Sequence, residues 1–263
     1  MLNPILPALA AITLVATTAS AQRPPSSGQE VLQRMHDAYA GKWYGTLTFR
    51  QQTTQWRPDG TPAASTWLES LRYTPETGTQ LRIDIGDLAA GNGVLYTADS
   101  TFVVRAGKLT TTRPQGNEFL PLIEGVYMQP VERTVRELRG TGIDFTKVSA
   151  ARWDDRPVWI VGGSSPADSA ASQFWVDVER NVVVRMILVP APNTPTMDIH
   201  LERYEPLAGG WLATKIEMYV AGKPRQFEEY SDWHAGMDLP AALFDSQNWT
   251  QASHWGKSST PDE

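Results

Sequence analysis

The stretch MDIHLERYEPLAGGWLATKIEMYV, residues 197–220, decides the fold class. Apolar side chains occupy every second position in residues 197–201 and again in residues 212–220. A period of two is typical of a strand that buries one of its faces. The turn sequence Ala208-Gly209-Gly210 separates the two halves, so the stretch predicts an antiparallel β-hairpin.

The same alternation recurs on both sides of this hairpin, for example in residues 43–50 and 81–85. Two regions follow helical spacing instead, namely residues 29–40 and residues 118–139, where Pro130 predicts a kink. Consecutive short strands without an internal repeat favour a meander. We therefore expect a mainly β fold: a single curled antiparallel sheet, or incomplete β-barrel, of about ten or eleven strands, with an N-terminal helix and a central helical lid.

The N-terminus has the pattern of an export signal. Residues 1–21 contain no charged side chain, and an apolar run over residues 5–15 is followed by Ala19-Ser20-Ala21. This run is too short for a membrane anchor, which needs ~20 apolar residues. We expect a cleaved signal peptide (1–21), a disordered arm (22–28), one half-barrel domain (29–255) and a disordered tail (256–263).

The composition limits the cellular compartments and the classes of partner that are expected for the protein. The chain has no cysteine, which excludes disulfides, thiolate metal sites and a lipid-modified cysteine. A net charge of -6 and a pI near 5.3 give no support for nucleic acid binding. We expect a soluble, monomeric periplasmic protein with no transmembrane helix after cleavage of the signal peptide.

The sequence offers no recognisable catalytic or metal-binding constellation. None of the four histidines has a second histidine or a carboxylate at the spacing of a metal site. Glu228 and Glu229 are neighbours on a predicted strand, so they point to opposite faces and cannot act as a pair. No serine lies in a G-x-S-x-G turn. We expect no catalytic residue, no metal and no cofactor.

Apolar stripes on the strands and on the predicted lid suggest a binding cavity. A curled sheet of this breadth is hard to fill with its own side chains. A sixteen-carbon acyl chain would gain on the order of 10 kcal/mol on burial, at ~0.8 kcal/mol per methylene. We offer Arg50, Arg72 and Arg82 as rim contacts for a polar head. The expected lining is apolar or aromatic throughout: Leu47, Phe49, Leu81, Ile83, Tyr96, Phe102, Val104, Leu122, Ile123, Val126 and Tyr127.

The order of these elements resembles that of the LolA-like family of periplasmic lipoprotein carriers, the outer-membrane lipoprotein-sorting superfamily. The resemblance implies an incomplete β-barrel lidded by helices, which holds acyl chains. An arginine that precedes a proline in those chaperones is replaced here by Thr74, before Pro75. The matching segments are WYGTLTFRQQ (43–52), LRYTPETGTQLRIDIG (71–86), GVLYTADSTFVV (93–104), FLPLIEGVYMQP (119–130), FWVDVERNVVVRMIL (174–188) and LPAALFD (239–245).

Three functions stay open at this stage, in order of preference. The first is a non-catalytic carrier of lipid or of acylated lipoprotein, with inner- or outer-membrane donor and acceptor proteins as further partners. The second is an envelope sensor or assembly module that binds a protein partner. The third is a lipid hydrolase, which would need a convergent pair of titratable groups inside the pocket.

Overall fold

A computed structural model describes residues 23–191 and 194–256 of the protein. It begins with helix α1, Gly28–Tyr39. The Ser27 side chain caps this helix by accepting a hydrogen bond from the Glu30 backbone N–H, and the Glu30 carboxylate accepts one from the Ser26 backbone N–H in return. The apolar face of α1, with Val31, Leu32 and Met35, is buried.

Thirteen strands follow and form one antiparallel sheet, so the predicted fold class is confirmed. The sheet order is β6-β5-β4-β3-β2-β1-β13-β12-β11-β10-β9-β8-β7, in which β1 and β13 join two meanders. Their bounds are β1 Thr46–Trp56, β2 Pro62–Thr74, β3 Gly78–Ile85, β4 Gly93–Tyr96, β5 Thr101–Arg105, β6 Lys108–Arg113, β7 Val148–Trp153, β8 Arg156–Val161, β9 Gln173–Asp177, β10 Val183–Leu188, β11 Met197–Leu207, β12 Gly210–Val220 and β13 Lys223–Ala235.

The sheet stays open, because β6 and β7 form its two ends and do not pair with each other within the described residues. Strand β7 is absent from the sequence-based expectation. Its sequence, VSAARW, shows only a weak alternation of apolar and polar residues, and none of its six positions is fully buried. With β7 the described sheet has thirteen strands, which exceeds the expected ten or eleven.

The predicted helical lid is confirmed as a set of short helices, residues 121–137. A π-helical turn, Pro121–Gly125, leads into α2, Val126–Met128, and α3, Val131–Glu137, follows. The break falls where expected, because Pro130 has no N–H to continue the preceding helix. The lid and α1 pack on one face of the sheet, the inner face, where they share the largest apolar core with Leu47, Leu71 and other inward side chains.

The opposite, outer face carries a second apolar cluster built by the chain's end. The C-terminal segment, residues 237–256, includes a short 3-10 helix, Ala241–Phe244. Its Leu243 and Trp249 pack against Leu95 and Val104 of the sheet. This segment therefore covers the outer face of β2 to β5, whereas the lid lies on the inner face of the sheet.

Some expectations fall on residues that the structure does not describe. The predicted signal peptide, residues 1–21, lies outside the described residues, and so do residues 257–263 of the predicted tail. Gly28, placed in the preceding arm by the sequence analysis, is the first residue of α1. Within residues 23–191 and 194–256, no helix has the length and apolar character needed to cross a membrane.

Candidate functional site

A cavity lies between the inner face of the sheet and the lid. It has two adjoining compartments of about 70 and 340 Å³. Both are bordered by Leu81, Ile123, Leu201, Ile216 and other side chains that reach them from the sheet and from the lid. The larger compartment falls in the range of ~300–1,000 Å³ typical of small-molecule sites.

Most of the residues expected to line a cavity are brought together there. Leu122 and Val126 are fully buried in the core beneath the lid and do not reach the cavity. Those that do line one compartment or the other are Leu47, Phe49, Leu81, Ile83, Tyr96, Ile123 and Tyr127.

Phe102 and Val104 lie on the outer face instead, where they join the cluster of the C-terminal segment. The register of the β4–β5 hairpin explains this placement. Phe102 is opposite Leu95, which points outward, whereas Thr101 is opposite the inward Tyr96. Because a shift of one residue moves a whole strand to the other face, the face of β5 depends on hairpin register and not on its own alternation.

The three arginines expected at the rim are also on the outer face. They alternate with inward residues on their strands, and alternation sends them away from the cavity. Arg50 pairs with Asp232 at the surface. Arg72 lies over the Phe244 ring, 4.3 Å from its centroid. Arg82 is buried under the C-terminal segment and binds the Asp84 carboxylate.

The sequence analysis missed a polar wall inside the cavity. Glu69 on β2 and Glu228 on β13 face inward and are only 4% and 5% exposed. Glu228 accepts hydrogen bonds from the Tyr230 hydroxyl at 2.7 Å and from the Gln226 amide at 2.5 Å. Glu69 alternates with Trp67 and Leu71 and therefore lies on the same, inward face of β2. This alternation was the signal in the sequence from which the buried acid could have been predicted.

Burial controls the charge of these two carboxyl groups. Burial raises the pKa of Glu69 well above its ordinary 4.5, and the neighbouring Glu228 carboxyl raises it further. Burial also raises the pKa of Glu228, although its hydrogen bonds from Tyr230 and Gln226 offset part of this effect. Both groups therefore keep their protons to a higher pH than an exposed glutamate does.

A third buried carboxyl joins the lid to the sheet. Glu124 accepts hydrogen bonds from Trp43 Nε1 at 2.8 Å and from the Tyr44 hydroxyl at 3.0 Å. The lid residue Tyr127 stacks on the Trp43 ring, with centroids 3.8 Å apart. Burial raises the pKa of Glu124 to about 8, and the two donors oppose that rise. Glu124 thus fastens the lid to Trp43 and Tyr44 through hydrogen bonds and also borders the smaller compartment.

The described lining contains no side chain that would neutralise these acids. No lysine, arginine or histidine borders either compartment, and neither does a serine or a cysteine. The cavity therefore combines a long apolar wall with an acidic patch. Among the described residues, Glu69 and Glu228 are the convergent pair of titratable groups that the sequence did not reveal.

A possible metal-ligand cluster lies outside the cavity, on β11 and β12. The strand register puts His200 opposite Glu217, and their ligand atoms and that of Glu202 lie within 4.8 Å of one another. Spacing along one strand could not reveal this cross-strand group. The Lys215 ammonium, however, binds both carboxylates, at 2.8 Å from Glu202 and 2.5 Å from Glu217. The arrangement is that of an ion-pair network in which Lys215 already occupies both carboxylates.

Comparison with known proteins extends this description of the fold. No protein-family model matches the sequence, and no curated protein matches it. Solved structures do match. A DUF1329 family protein from Desulfovibrio piger aligns with a TM-score of 0.59 and 12% identity, over 83% of this chain and 95% of that protein.

Two further structures align over a similar share of the chain. A putative outer membrane lipoprotein-sorting protein domain from Vibrio parahaemolyticus has a TM-score of 0.57 and 10% identity, over 83% of this chain and 96% of its own. A LolA superfamily protein from Nitrosomonas europaea has a TM-score of 0.53 and 12% identity, over 83% and 97%. At identities this low, the alignments show similarity of fold alone. They confirm the fold that the sequence resemblance implies: this chain has a LolA-like fold.

Proposed function

We propose that the protein is a non-catalytic carrier that binds an acyl chain or another long apolar group between its sheet and its lid. The observation that carries the proposal is the cavity of about 340 Å³, bordered by Ile83, Met186, Ile199 and other apolar side chains. One structural relative is named as a putative outer membrane lipoprotein-sorting protein domain, which supports this choice. A role in the cell envelope, after export by the predicted signal peptide, belongs to the same proposal.

The energetics of such binding need no specific motif. Transfer of a twelve-carbon chain into the cavity gains about 10 kcal/mol at ~0.8 kcal/mol per methylene. Association itself costs an estimated ~4–15 kcal/mol, so the net affinity depends on how much of the chain is covered. A larger guest would fill the smaller compartment as well, which adjoins the first at Leu201 and Ile216.

A cavity-filling substitution tests the proposal. Ile216 borders both compartments, so Ile216→Trp should block the cavity and weaken binding of dodecanol, an uncharged twelve-carbon probe, by at least about tenfold. Glu229→Trp is the matched control, because the side chain of Glu229 is 61% exposed on the outer face. Displacement of a fluorescent apolar dye would report the affinities. Equal binding by the wild type and by Ile216→Trp would overturn the proposal, as would no binding to the wild type.

A further inference from the structure

Glu69 is a buried acid without a partner. It lies on β2, between Phe49 of β1 and Ile83 of β3 in the strand register. It borders both compartments, and no hydrogen bond from a described residue reaches its carboxyl group. A buried polar group that lacks a partner is costly to the fold, so an arrangement of this kind suggests that a ligand supplies the partner.

A second carboxyl group faces the same space. Glu228 projects inward from β13, where the register places it opposite Thr53 and Ile216. It borders the same compartment as Glu69, and its carboxyl group raises the pKa of Glu69. Two acids that share a site without a counter-charge disfavour a second negative charge and favour a positive one.

The side chains that line the cavity favour a positively charged guest over a negatively charged one. No cationic side chain among the described residues borders the cavity, and Arg50, Arg72 and Arg82 lie on the other side of the sheet. An anionic head, such as a fatty acid carboxylate or a phosphate, would enter next to two carboxyl groups. An ammonium head would instead form hydrogen bonds assisted by charge with one or both of them.

We propose that the cavity selects an amphiphile with an ammonium head, which Glu69 and Glu228 bind while the chain lies against the apolar wall. This inference rests on the proposed function, since it names the class of guest that the carrier takes. The head donates its N–H groups to the two carboxylates. Glu69 is the primary contact, because Tyr230 and Gln226 already satisfy part of Glu228.

A chain-matched series separates the head from the tail. Dodecylamine, dodecanol and dodecanoate have the same length, and the amine stays protonated near neutral pH, as lysine does. We expect dodecylamine to bind the wild type at pH 7 at least about tenfold more tightly than dodecanoate. The Glu69→Gln substitution should bring the affinities for dodecylamine and dodecanoate to within about threefold of each other. Glu229→Gln, on the outer face, is the control and should preserve the preference.

Each outcome decides between the two proposals. Binding of dodecanol without preference for amine over carboxylate would overturn this inference and leave the carrier proposal standing. If none of the three ligands binds, both fail. Should Glu69→Gln not fold, the wild-type preference still decides the matter, because it should grow as the pH rises and the carboxyl groups lose their protons. A preference that stays level or falls with rising pH would count against Glu69 and Glu228 as the contacts.

Discussion

Glu124 gives a quantitative test of whether the lid closes over a dry site. Replacement of Glu124 by glutamine keeps the shape of the side chain and removes its ability to ionise. The glutamine oxygen can accept the hydrogen bond of Trp43 Nε1. Its amide can donate to the Tyr44 hydroxyl oxygen, whose proton can turn to the Trp211 backbone carbonyl 3.2 Å away. The variant should therefore fold with the hydrogen bonds to Trp43 and Tyr44 kept.

The magnitude follows from linkage between protonation and folding. The pKa of Glu124 rises from 4.5 in the unfolded chain to about 8 in the folded protein. The folded state therefore holds a proton that the unfolded state has lost, and stability falls as pH rises from 4.5 toward 8. At ~1.4 kcal/mol per pH unit, the wild type loses about 3 kcal/mol between pH 4.5 and pH 7 because of this one group.

Urea unfolding of both proteins at several pH values would measure the effect. Near pH 4.5 the two free energies of unfolding should agree within about 1 kcal/mol, the scale of one hydrogen bond. By pH 7 to 8 Glu124→Gln should be more stable by about 3 kcal/mol. The subtraction of the two curves cancels Glu69 and Glu228, which titrate in both proteins. A difference that stays constant with pH would refute a desolvated Glu124, and with it the closed lid.

Three other substitutions test the outer face. Trp249→Ala should lower the free energy of unfolding, measured in urea, by about 3–5 kcal/mol. The reason is that the ring is 1% exposed and its centroid lies 3.7 Å from the Arg82 guanidinium. A loss below about 1 kcal/mol would contradict the docking of the C-terminal segment. Gly93→Ala should cost about 1–3 kcal/mol, since its Cβ would overlap the Trp249 ring and the Ile83 carbonyl oxygen, and an unchanged melting temperature would be the contrary result. Arg50→Ala should change stability by less than about 1 kcal/mol, because its ion pair is exposed, and it should leave dodecanol binding unchanged if Arg50 lies outside the cavity.

The sequence was sufficient for the sheet, the first helix and the lid, because each has a clear period. Alternation in β11 and β12 and helical spacing around Pro130 are local signals, and both elements formed as expected. Phe102 is different, because its face depends on pairing with Leu95 across a hairpin. Register is a property of two strands, and the spacing within one strand does not contain it.

The polar half of the cavity was harder to predict. A single glutamate among apolar neighbours, as Glu69 is, was passed over although its alternation pointed inward. Glu69 comes near Glu228 because β2 and β13 lie on either side of β1. That order results from the pairing of β1 with β13, which joins the two meanders. The arginines show the converse case. The prediction of Arg82 at the rim was wrong, although its alternation with Leu81 and Ile83 indicated the opposite face. Its burial there comes from a C-terminal segment whose docking no local pattern indicated.

Native mass spectrometry of the full protein, purified from its own cells without detergent, tests the central claim most directly. If the space between sheet and lid holds an apolar guest, a fraction of the molecules should carry an added mass in the range of a lipid. Ile216→Trp, prepared in the same way, should lose that mass, whereas Glu229→Trp should retain it. Wild-type protein that is recovered bare and takes up neither dodecanol nor dodecylamine would contradict the claim.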